Sequence, residues 1–188
     1  MKQPGLWKLP PIKSDVVYTP EPVVLDMLEW VKPSGLCLDP CKGDGAFIKH
    51  LPPGSDWCEI QEGKDFFDYH RKVDWIIGNP PYSIFEDFLA HSLELSDNVV
   101  YILPTNKVFQ RAVIMRMINK WGGVRGMRVY GSGSVVGFPF GFSVAAFWLQ
   151  KNYTGLCELL LVPPNNGLEP TEQAGLIKQS LESAAQAD

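Results

Sequence analysis

The feature that most restricts the fold is an alternation of short apolar segments with segments of helical periodicity. Four strand-like segments end in proline, asparagine or a polar turn: GLCLDP (35–40), DWCEI (56–60), VDWIIGN (73–79) and NVVYILP (98–104). Apolar residues three or four positions apart predict helices over Glu21–Val31, 46–51, 84–95 and 107–121. Because strands that alternate with helices form βαβ units, we predict an α/β fold with a mainly parallel sheet and helices on both faces.

Two further β-prone segments follow the last predicted helix. They are GMRVYG (126–131) and VAAFWLQK (144–151), separated by a loop rich in glycine, serine and phenylalanine, and we predict a C-terminal β-hairpin. A length of 188 residues fits one domain. We place that domain at residues 1–163 and interpret residues 164–188 as a polar tail.

The composition excludes several classes of protein. No apolar run approaches the roughly 18 residues of a spanning helix, and the amino terminus lacks the apolar core of a secretory signal. We therefore expect a cytoplasmic protein that does not bind membranes. The cysteines do not form paired CxxC knuckles, and no second Cys or His pair stands at a suitable spacing from Cys37 and Cys41, so we predict no metal site.

Charge is distributed unevenly along the chain. The net charge is −4, yet no Asp or Glu occurs between Asn98 and Cys157. The basic residues of that stretch are Lys107, Arg111, Arg116, Lys120, Arg125, Arg128 and Lys151. An acidic protein with one basic face would show this segregation, and such a face favours a nucleic acid. We predict that four of them, at helical neighbour spacings in the predicted helix 107–121, contact phosphates: Lys107, Arg111, Arg116 and Lys120.

The segment LDPCKGDGAF, residues 38–47, predicts a sharp turn after the first strand. Gly43 and Gly45 tolerate positive φ and let a ligand approach the backbone. The third glycine of the dinucleotide-binding fingerprint is absent, and Asp39 precedes the turn. A carboxylate at this place favours a ligand with a cationic end, such as an amino acid, and disfavours a pyrophosphate.

Acidic residues also follow the second predicted strand. Glu59 lies about twenty residues beyond Asp39, at the offset where nucleotide-binding sheets place an acidic residue on ribose hydroxyls. Asp65 can accept a hydrogen bond from an exocyclic amine, and Phe66 can pack on a purine. Together these residues predict an adenosine that carries a cationic amino acid, which fits S-adenosylmethionine (AdoMet).

The segment NPPY follows the third predicted strand and predicts a rigid turn, because two prolines fix φ and remove donors. The amide oxygen of Asn79 and the carbonyl of Pro80 can accept both hydrogens of an amino group. This favours a pyramidal nitrogen whose lone pair points at a methyl sulfonium. Tyr82 can stack on the base that carries the amine. We therefore predict that Asn79, Pro80, Pro81 and Tyr82 are the catalytic residues.

These motifs resemble those of the amino-group DNA methyltransferases, in the arrangement where the cofactor motif precedes the catalytic one. VVYTPEPVVLDML (16–28) resembles the leading cofactor segment, LDPCKGDGAF the AdoMet-binding motif, KDFFDY (64–69) the adenine-contacting motif and NPPYS (79–83) the catalytic motif. GFPFGFSVAAFWL (137–149) is similar to the late motif whose aromatic residue clamps the flipped base.

The resemblance implies a Rossmann-like AdoMet-dependent methyltransferase fold and methyl transfer to N6 of adenine in DNA. The resemblance also implies that further residues contact the cofactor, namely Tyr18, Thr19, Pro20, Pro40 and Phe47. The implied base contact is Phe140, with Phe138 and Phe142 as alternatives. The implied substrate is double-stranded DNA with a flipped base or single-stranded DNA, and a homodimer is compatible with the family. Because no separate target-recognition domain follows the motifs, we expect low sequence specificity, as a phage or prophage enzyme would use to mark DNA broadly.

Other activities stay open. Protein glutamine N5-methyltransferases also carry NPPY, although they usually have a helical substrate domain ahead of the cofactor motif. An RNA adenine N6-methyltransferase is a further alternative, and the amine of cytosine N4 could use the same turn. A catalytically silent nucleic-acid-binding subunit would typically lose the cofactor acids or NPPY, and this chain keeps both.

Overall fold

The computed structural model of the chain describes residues 16–163, and the predicted polar tail lies outside them. Seven strands form one sheet in the order β2-β1-β3-β4-β6-β5-β7. The strands are β1 (Cys37–Asp39), β2 (Asp56–Trp57), β3 (Trp75–Gly78), β4 (Asn98–Pro104), β5 (Gly122–Ser132), β6 (Ser143–Lys151) and β7 (Glu158–Leu161). The helices are α1 (Glu21–Val31), α2 (Phe85–Leu95), α3 (Thr105–Phe109) and α4 (Ala112–Trp121).

The predicted α/β fold with a mainly parallel sheet is confirmed. β1 pairs in parallel with β2 and β3, β3 pairs in parallel with β4, and β5 pairs in parallel with β7. β6 lies between β4 and β5 and is antiparallel to both. The predicted C-terminal hairpin is therefore also confirmed, as β5 and β6, although the sequence did not predict the edge strand β7.

Helices cover both faces of the sheet, as predicted. On one face, Val24 and Met27 of α1 pack in a core with Ile77 of β3 and Ile102 of β4. On the other face, α2 and α4 pack in a second core with residues of β1, β3, β4 and β6. The central strands are buried on both sides, which explains why they read as continuous apolar segments in the sequence.

Two predicted helices differ from the observed ones. Segment 46–51 forms only a single 3-10 turn, Ile48–His50, because the glycine turn occupies the preceding residues and Pro52 and Pro53 follow at once. The predicted helix 107–121 is broken into α3 and α4. Arg111, at the break, has an extended backbone with φ −110° and ψ 107°, and its guanidinium pairs with Glu86 of α2.

Residues 16–163 contain no helix that is both long enough and apolar enough to cross a membrane.

Candidate functional site

The polar residues predicted from three different strands lie at one edge of the sheet. Asp39 ends β1, Glu59 follows β2 and Asn79 follows β3, and both neighbouring strands run parallel to β1. The carboxyl ends of parallel strands meet at the same edge, which is where open α/β sheets bind ligands. Direct contacts join the turns that follow these strands: Gly43 N lies 2.8 Å from Glu59 Oε2, and Cys41 Sγ lies 3.1 Å from the Asn79 carbonyl oxygen.

The turn after β1 has the conformation that its glycines predict. Gly43 has φ +54° and Gly45 has φ +91°, both in the left-handed region that favours glycine. The Glu59 carboxylate accepts hydrogen bonds from Gly43 N at 2.8 Å and from Gln61 N at 3.1 Å. The residue predicted to bind ribose therefore also fixes the shape of the glycine turn.

Asp39 is completely buried at the base of this turn. Its Oδ1 accepts a hydrogen bond from Cys41 N at 3.3 Å, whereas its Oδ2 has no hydrogen-bond partner among residues 16–163. Burial raises the pKa of the Asp39 carboxyl to about 7, against a smaller lowering by the hydrogen bond from the Cys41 backbone. A buried carboxylate oxygen with no partner is an acceptor suited to the cationic end of a ligand.

The NPPY turn contains a buried acceptor that lacks a hydrogen-bond partner in the described part of the chain. Asn79 Nδ2 donates to the Val17 carbonyl at 3.0 Å, while Asn79 Oδ1 is buried without a hydrogen-bond partner in the described part of the chain. Pro80 is buried, and Pro81 has an extended backbone that begins the 3-10 turn Tyr82–Ile84. The amide oxygen that the sequence assigns to an amine substrate is therefore the end of Asn79 that no described residue engages.

Aromatic residues of the loop between β5 and β6 approach the NPPY turn. The rings of Phe138 and Phe140 are stacked with centroids 5.2 Å apart, and those of Phe140 and Phe142 with centroids 3.8 Å apart. Phe140 is thus the middle ring of the stack, and it meets Tyr82 edge to face with centroids 6.5 Å apart. Phe138 is 3% exposed and Phe142 is 49% exposed, so the stack runs from the core to the surface.

No protein-family model matches the chain, and no curated protein matches it either. Solved structures do match. The methyltransferase subunit of a type I restriction-modification system from Streptococcus thermophilus aligns with a TM-score of 0.65 and 15% identity, over 89% of this chain and 53% of that one. A modification subunit of a proposed type I restriction enzyme from Vibrio vulnificus gives 0.62 and 14%, over 90% and 54%.

A proposed class I AdoMet-dependent methyltransferase from Listeria monocytogenes aligns with a TM-score of 0.53 and 13% identity, over 84% of this chain and 67% of that one. This chain has the class I AdoMet-dependent methyltransferase fold. It spans about half the length of the restriction-system subunits that it matches, 54% and 53% of the two described above. At these identities the likeness establishes the fold alone.

The leading segment, residues 17–20, contacts three parts of the site. The Val17 carbonyl accepts the hydrogen bond from Asn79. The ring of the exposed Tyr18 lies against Gly43, 3.2 Å from the point that a Cβ would occupy if Gly43 had a side chain. Pro20 lies against Gly137, 3.1 Å from the point that a Cβ would occupy there, at the start of the aromatic loop that carries Phe138, Phe140 and Phe142. Thr19, which lies between Tyr18 and Pro20 in the sequence, is buried. This segment therefore connects the NPPY turn, the glycine turn and the loop that carries Phe138, Phe140 and Phe142.

Residues 64–69, which resemble the adenine-contacting motif, differ from the sequence-based expectation at Phe66, whose side chain was expected to pack on a purine. Asp65 Oδ1 accepts a hydrogen bond from Phe67 N at 3.0 Å. Phe66 is 3% exposed and packs on Phe88 and His91, with ring centroids 4.4 Å and 4.8 Å away, so its side chain lies in the core. Phe67 is 38% exposed and is the aromatic residue of this motif that reaches the surface.

Two other predicted cofactor residues belong mainly to the packing of the turn. Pro40 and Phe47 are both buried. Pro40 packs against Gly78 of β3, 3.1 Å from the point that a Cβ would occupy if Gly78 had a side chain. Phe47 packs in the core beneath α1. They hold the glycine turn against β3 and α1.

Part of the predicted basic face is neutralised by ion pairs in the structure. Acidic residues from other segments pair with three of the seven: Glu86 with Arg111, Asp26 with the buried Arg128, and Asp97 with Lys151. Arg125 lies over the ring of Trp148 at 4.4 Å. The prediction that four basic residues share one helix is wrong, because α3 carries Lys107, α4 carries Arg116 and Lys120, and Arg111 lies at the break.

Sequence reasoning missed the groups that hold Asn79 in place. Val17 acts through its main-chain carbonyl, which leaves no signal in the side-chain pattern. The spacing of Cys41 indicates only that it lacks the partner pair of a metal site, yet its thiol donates to the Asn79 carbonyl. Its position between Asp39 and Gly43 in the turn motif was the one available indication.

Proposed function

We propose that the protein transfers a methyl group from AdoMet to the N6 amino group of adenine in DNA, with low sequence specificity. The observation that carries the proposal is the buried Oδ1 of Asn79, which has no hydrogen-bond partner among residues 16–163. A buried acceptor left unpaired costs about 1–3 kcal/mol, and a substrate that donates a hydrogen there removes this cost. An amino group is such a donor.

The residues of the carboxyl edge fit AdoMet. Bound AdoMet would supply an electrophilic methyl group on a sulfonium. Asp39 would hold its ammonium through the buried carboxylate that has an unpaired oxygen, and Glu59 would accept hydrogen bonds from its ribose. Asp65, at the end of the neighbouring turn, would accept a hydrogen bond from its adenine amine. Tyr18, above the glycine turn, would cover the bound cofactor.

Asn79 and Pro80 then act on the nucleophile. An aminopurine nitrogen is a weak nucleophile because its lone pair is conjugated with the ring. Two acceptors, Asn79 Oδ1 and the Pro80 carbonyl, would take both amino hydrogens and favour a nitrogen with a free lone pair. AdoMet held at the carboxyl edge would supply its methyl group to this nitrogen, with the sulfur keeping the electron pair of the broken carbon–sulfur bond and the surplus amine proton passing to water.

Aromatic residues support a nucleic-acid base as the carrier of this amine. Tyr82 lies next to the catalytic Asn79 and faces Phe140, so the NPPY turn and the late motif present aromatic rings to the same side of the site. Rings placed in this way can stack on a base that is flipped from a duplex or presented by a single strand. The similarity of the fold to modification subunits of type I restriction systems supports DNA.

The proposed low specificity rests on the chain between the NPPY turn and the loop that carries Phe138, Phe140 and Phe142, because this part of the chain forms helices and strands of the fold. Within the described residues, this part forms α2, β4, α3, α4 and β5, and the two strands lie inside the sheet. Specificity over several bases requires contacts to base edges, each good pair giving about 1–3 kcal/mol of discrimination, whereas phosphate contacts position the protein without reading sequence.

The deciding experiment uses AdoMet with a deuterated methyl group and long DNA of mixed sequence, followed by digestion to nucleosides and mass spectrometry. We expect labelled N6-methyladenine from the wild type in many sequence contexts. Labelled N4-methylcytosine would assign the turn to another amine, as would label that appears only in parallel reactions with RNA or a protein in place of DNA. Modification confined to one motif of several fixed bases would contradict the low specificity.

A further inference from the structure

The peptide unit between Asn79 and Pro80 has an unusual hydrogen-bonding requirement. Pro80 has no N–H, so this unit can be held only through its carbonyl oxygen. That oxygen accepts a hydrogen bond from the Cys41 thiol at a distance of 3.1 Å. Cys41 belongs to the glycine turn after β1, and Asn79 follows β3, so the contact joins the turn that would hold the cofactor to the turn that would hold the substrate.

Cys41 is also tied to the acidic end of the same turn. Its backbone N–H donates to Asp39 Oδ1 at 3.3 Å, while its side chain reaches the Asn79 carbonyl. Burial raises the pKa of the Cys41 thiol well above its ordinary value, so the thiol stays protonated and remains a donor at neutral pH. One residue therefore contacts both Asp39 and Asn79.

A second contact completes the support of Asn79. The Val17 carbonyl accepts the hydrogen bond from Asn79 Nδ2 at 3.0 Å, which fixes the rotation of the amide. The Cys41 thiol fixes the peptide plane that follows. The two acceptors for the amine, Asn79 Oδ1 and the Pro80 carbonyl, lie on either side of this plane along the chain, so their relative orientation depends on it.

We propose that Cys41 is a positioning residue for methyl transfer, whose thiol holds the Asn79–Pro80 peptide unit in register with the cofactor turn. This inference rests on the proposed function and adds a residue to it. Removing the thiol would let the plane rotate, so that the two acceptors would no longer engage both hydrogens of one amino group. Small displacements of reacting groups reduce rates strongly, by up to about a hundredfold for 1 Å.

The test compares Cys41→Ala with Cys41→Ser, which keeps a donor. Cys37→Ala is the matched control, because Cys37 is also buried and its thiol also points at a main-chain carbonyl, that of Gly35 at 3.9 Å, away from the site. We expect Cys41→Ala to lower kcat at least tenfold, with AdoMet affinity by calorimetry and KM for DNA within about threefold of wild type. We expect Cys41→Ser to recover most of kcat and Cys37→Ala to keep it.

A kcat for Cys41→Ala within twofold of wild type would overturn the proposal. Equal losses of kcat and AdoMet affinity in Cys41→Ala would also overturn it, because they would indicate a collapsed turn. Failure of Cys41→Ser to recover kcat would overturn the role of the donor.

A second readout does not depend on activity. In ¹⁵N-labelled protein, the Asn79 side-chain amide signal is assigned by its loss in Asn79→Ala. We expect this signal to shift in Cys41→Ala and to stay in place in Cys37→Ala, because only the first removes a contact to Asn79. Absence of methyl transfer by the wild type would refute the proposed function, whereas an unmoved Asn79 signal in Cys41→Ala would refute the positioning role.

Discussion

The side chain of Asn79 donates a hydrogen bond to the main-chain carbonyl of Val17 across 3.0 Å, although the two residues lie far apart in the sequence. Because this contact engages the nitrogen end of the amide, only the oxygen end is left to accept a hydrogen bond. That oxygen is buried and has no hydrogen-bond partner among the described residues. The contact therefore sets which end of Asn79 stays without a hydrogen-bond partner among the described residues.

The first prediction concerns this oxygen. We expect Asn79→Ala to lower the rate of methyl transfer by at least a hundredfold, since removal of one preorganised group that acts on the reacting atoms costs about 10²–10³ in rate. AdoMet affinity, measured by calorimetry, should stay within about threefold, because Asn79 acts on the amine. Asn119→Ala is the control, since Asn119 is an exposed asparagine on α4. Equal losses of rate and of AdoMet affinity would contradict the assigned role.

The second prediction follows from the buried carboxyl of Asp39, whose pKa burial raises from 3.8 to about 7. Between these values the folded protein binds a proton that the unfolded chain has released. The free energy of unfolding without ligand should therefore fall as the pH rises from about 4 to about 7, by roughly 4 kcal/mol from this group. Urea unfolding across this range measures the slope.

Asp39→Asn should flatten that slope, because the amide does not titrate. Asp44→Asn is the control: Asp44 is exposed in the same turn, and its replacement should leave the slope in place. AdoMet affinity of the wild type should rise over the same pH range, since the ionised carboxylate attracts an ammonium. An affinity that stays constant with pH would argue against Asp39 as the ammonium ligand.

The sequence predicted the sheet and the edge at which its polar residues lie, and the reason is physical. β1, β3 and β4 are buried on both faces, so their apolar runs are visible, and the polar residues that end them must meet at one edge. Asp39 and Asn79 could be placed together from this rule alone. The contact of Asn79 with the Val17 carbonyl could not, because a main-chain acceptor leaves no trace in the sequence.

Orientation within short irregular turns was also beyond the sequence. Phe66 and Phe67 are adjacent aromatic residues, and a 3-10 turn, Phe66–Asp68, decides that the first enters the core and the second reaches the surface. No strand alternation or helical period covers so short a segment. The break between α3 and α4 could not be predicted for a similar reason. Arg111, at the break, pairs with Glu86 of another helix, and the sequence pattern does not show such a contact.

The third prediction separates the three rings of the aromatic loop. Phe138 is buried at 3% exposure, so Phe138→Ala should lower the free energy of unfolding by about 3–5 kcal/mol. Phe142 is 49% exposed at the outer end of the stack, so Phe142→Ala should have little effect on stability. It should raise KM for DNA by the equivalent of about 1–3 kcal/mol of lost base stacking.

Phe140, the middle ring, contacts both neighbours and Tyr82, and Phe140→Ala should affect both stability and KM. Thermal unfolding and steady-state kinetics of the three variants give the comparison. An unchanged KM for both Phe140→Ala and Phe142→Ala would show that the loop does not contact the base.

The last prediction concerns the basic residues that acidic neighbours do not neutralise. Within the described part of the chain, Lys107, Arg116 and Lys120 make no ion pair, whereas Arg111 pairs with Glu86 at 2.9 Å. Arg116 and Lys120 lie one turn apart on the exposed side of α4. If α4 follows a DNA backbone, each of them releases about one counterion on binding.

We therefore expect the double variant Arg116→Gln and Lys120→Gln to weaken DNA binding for all sequences alike. The slope of log K against log salt concentration should become shallower by roughly two units, close to 0.9 for each lost phosphate contact. Arg111→Gln is the control for a lost charge on the same part of the chain, because it removes one positive charge that Glu86 already compensates, and its slope should stay close to that of the wild type. Fluorescence anisotropy with a labelled duplex and a labelled single strand, across a salt series, measures all three slopes. A slope unchanged in the double variant would mean that α4 does not face the nucleic acid, and the bound phosphates would then have to lie elsewhere on the protein.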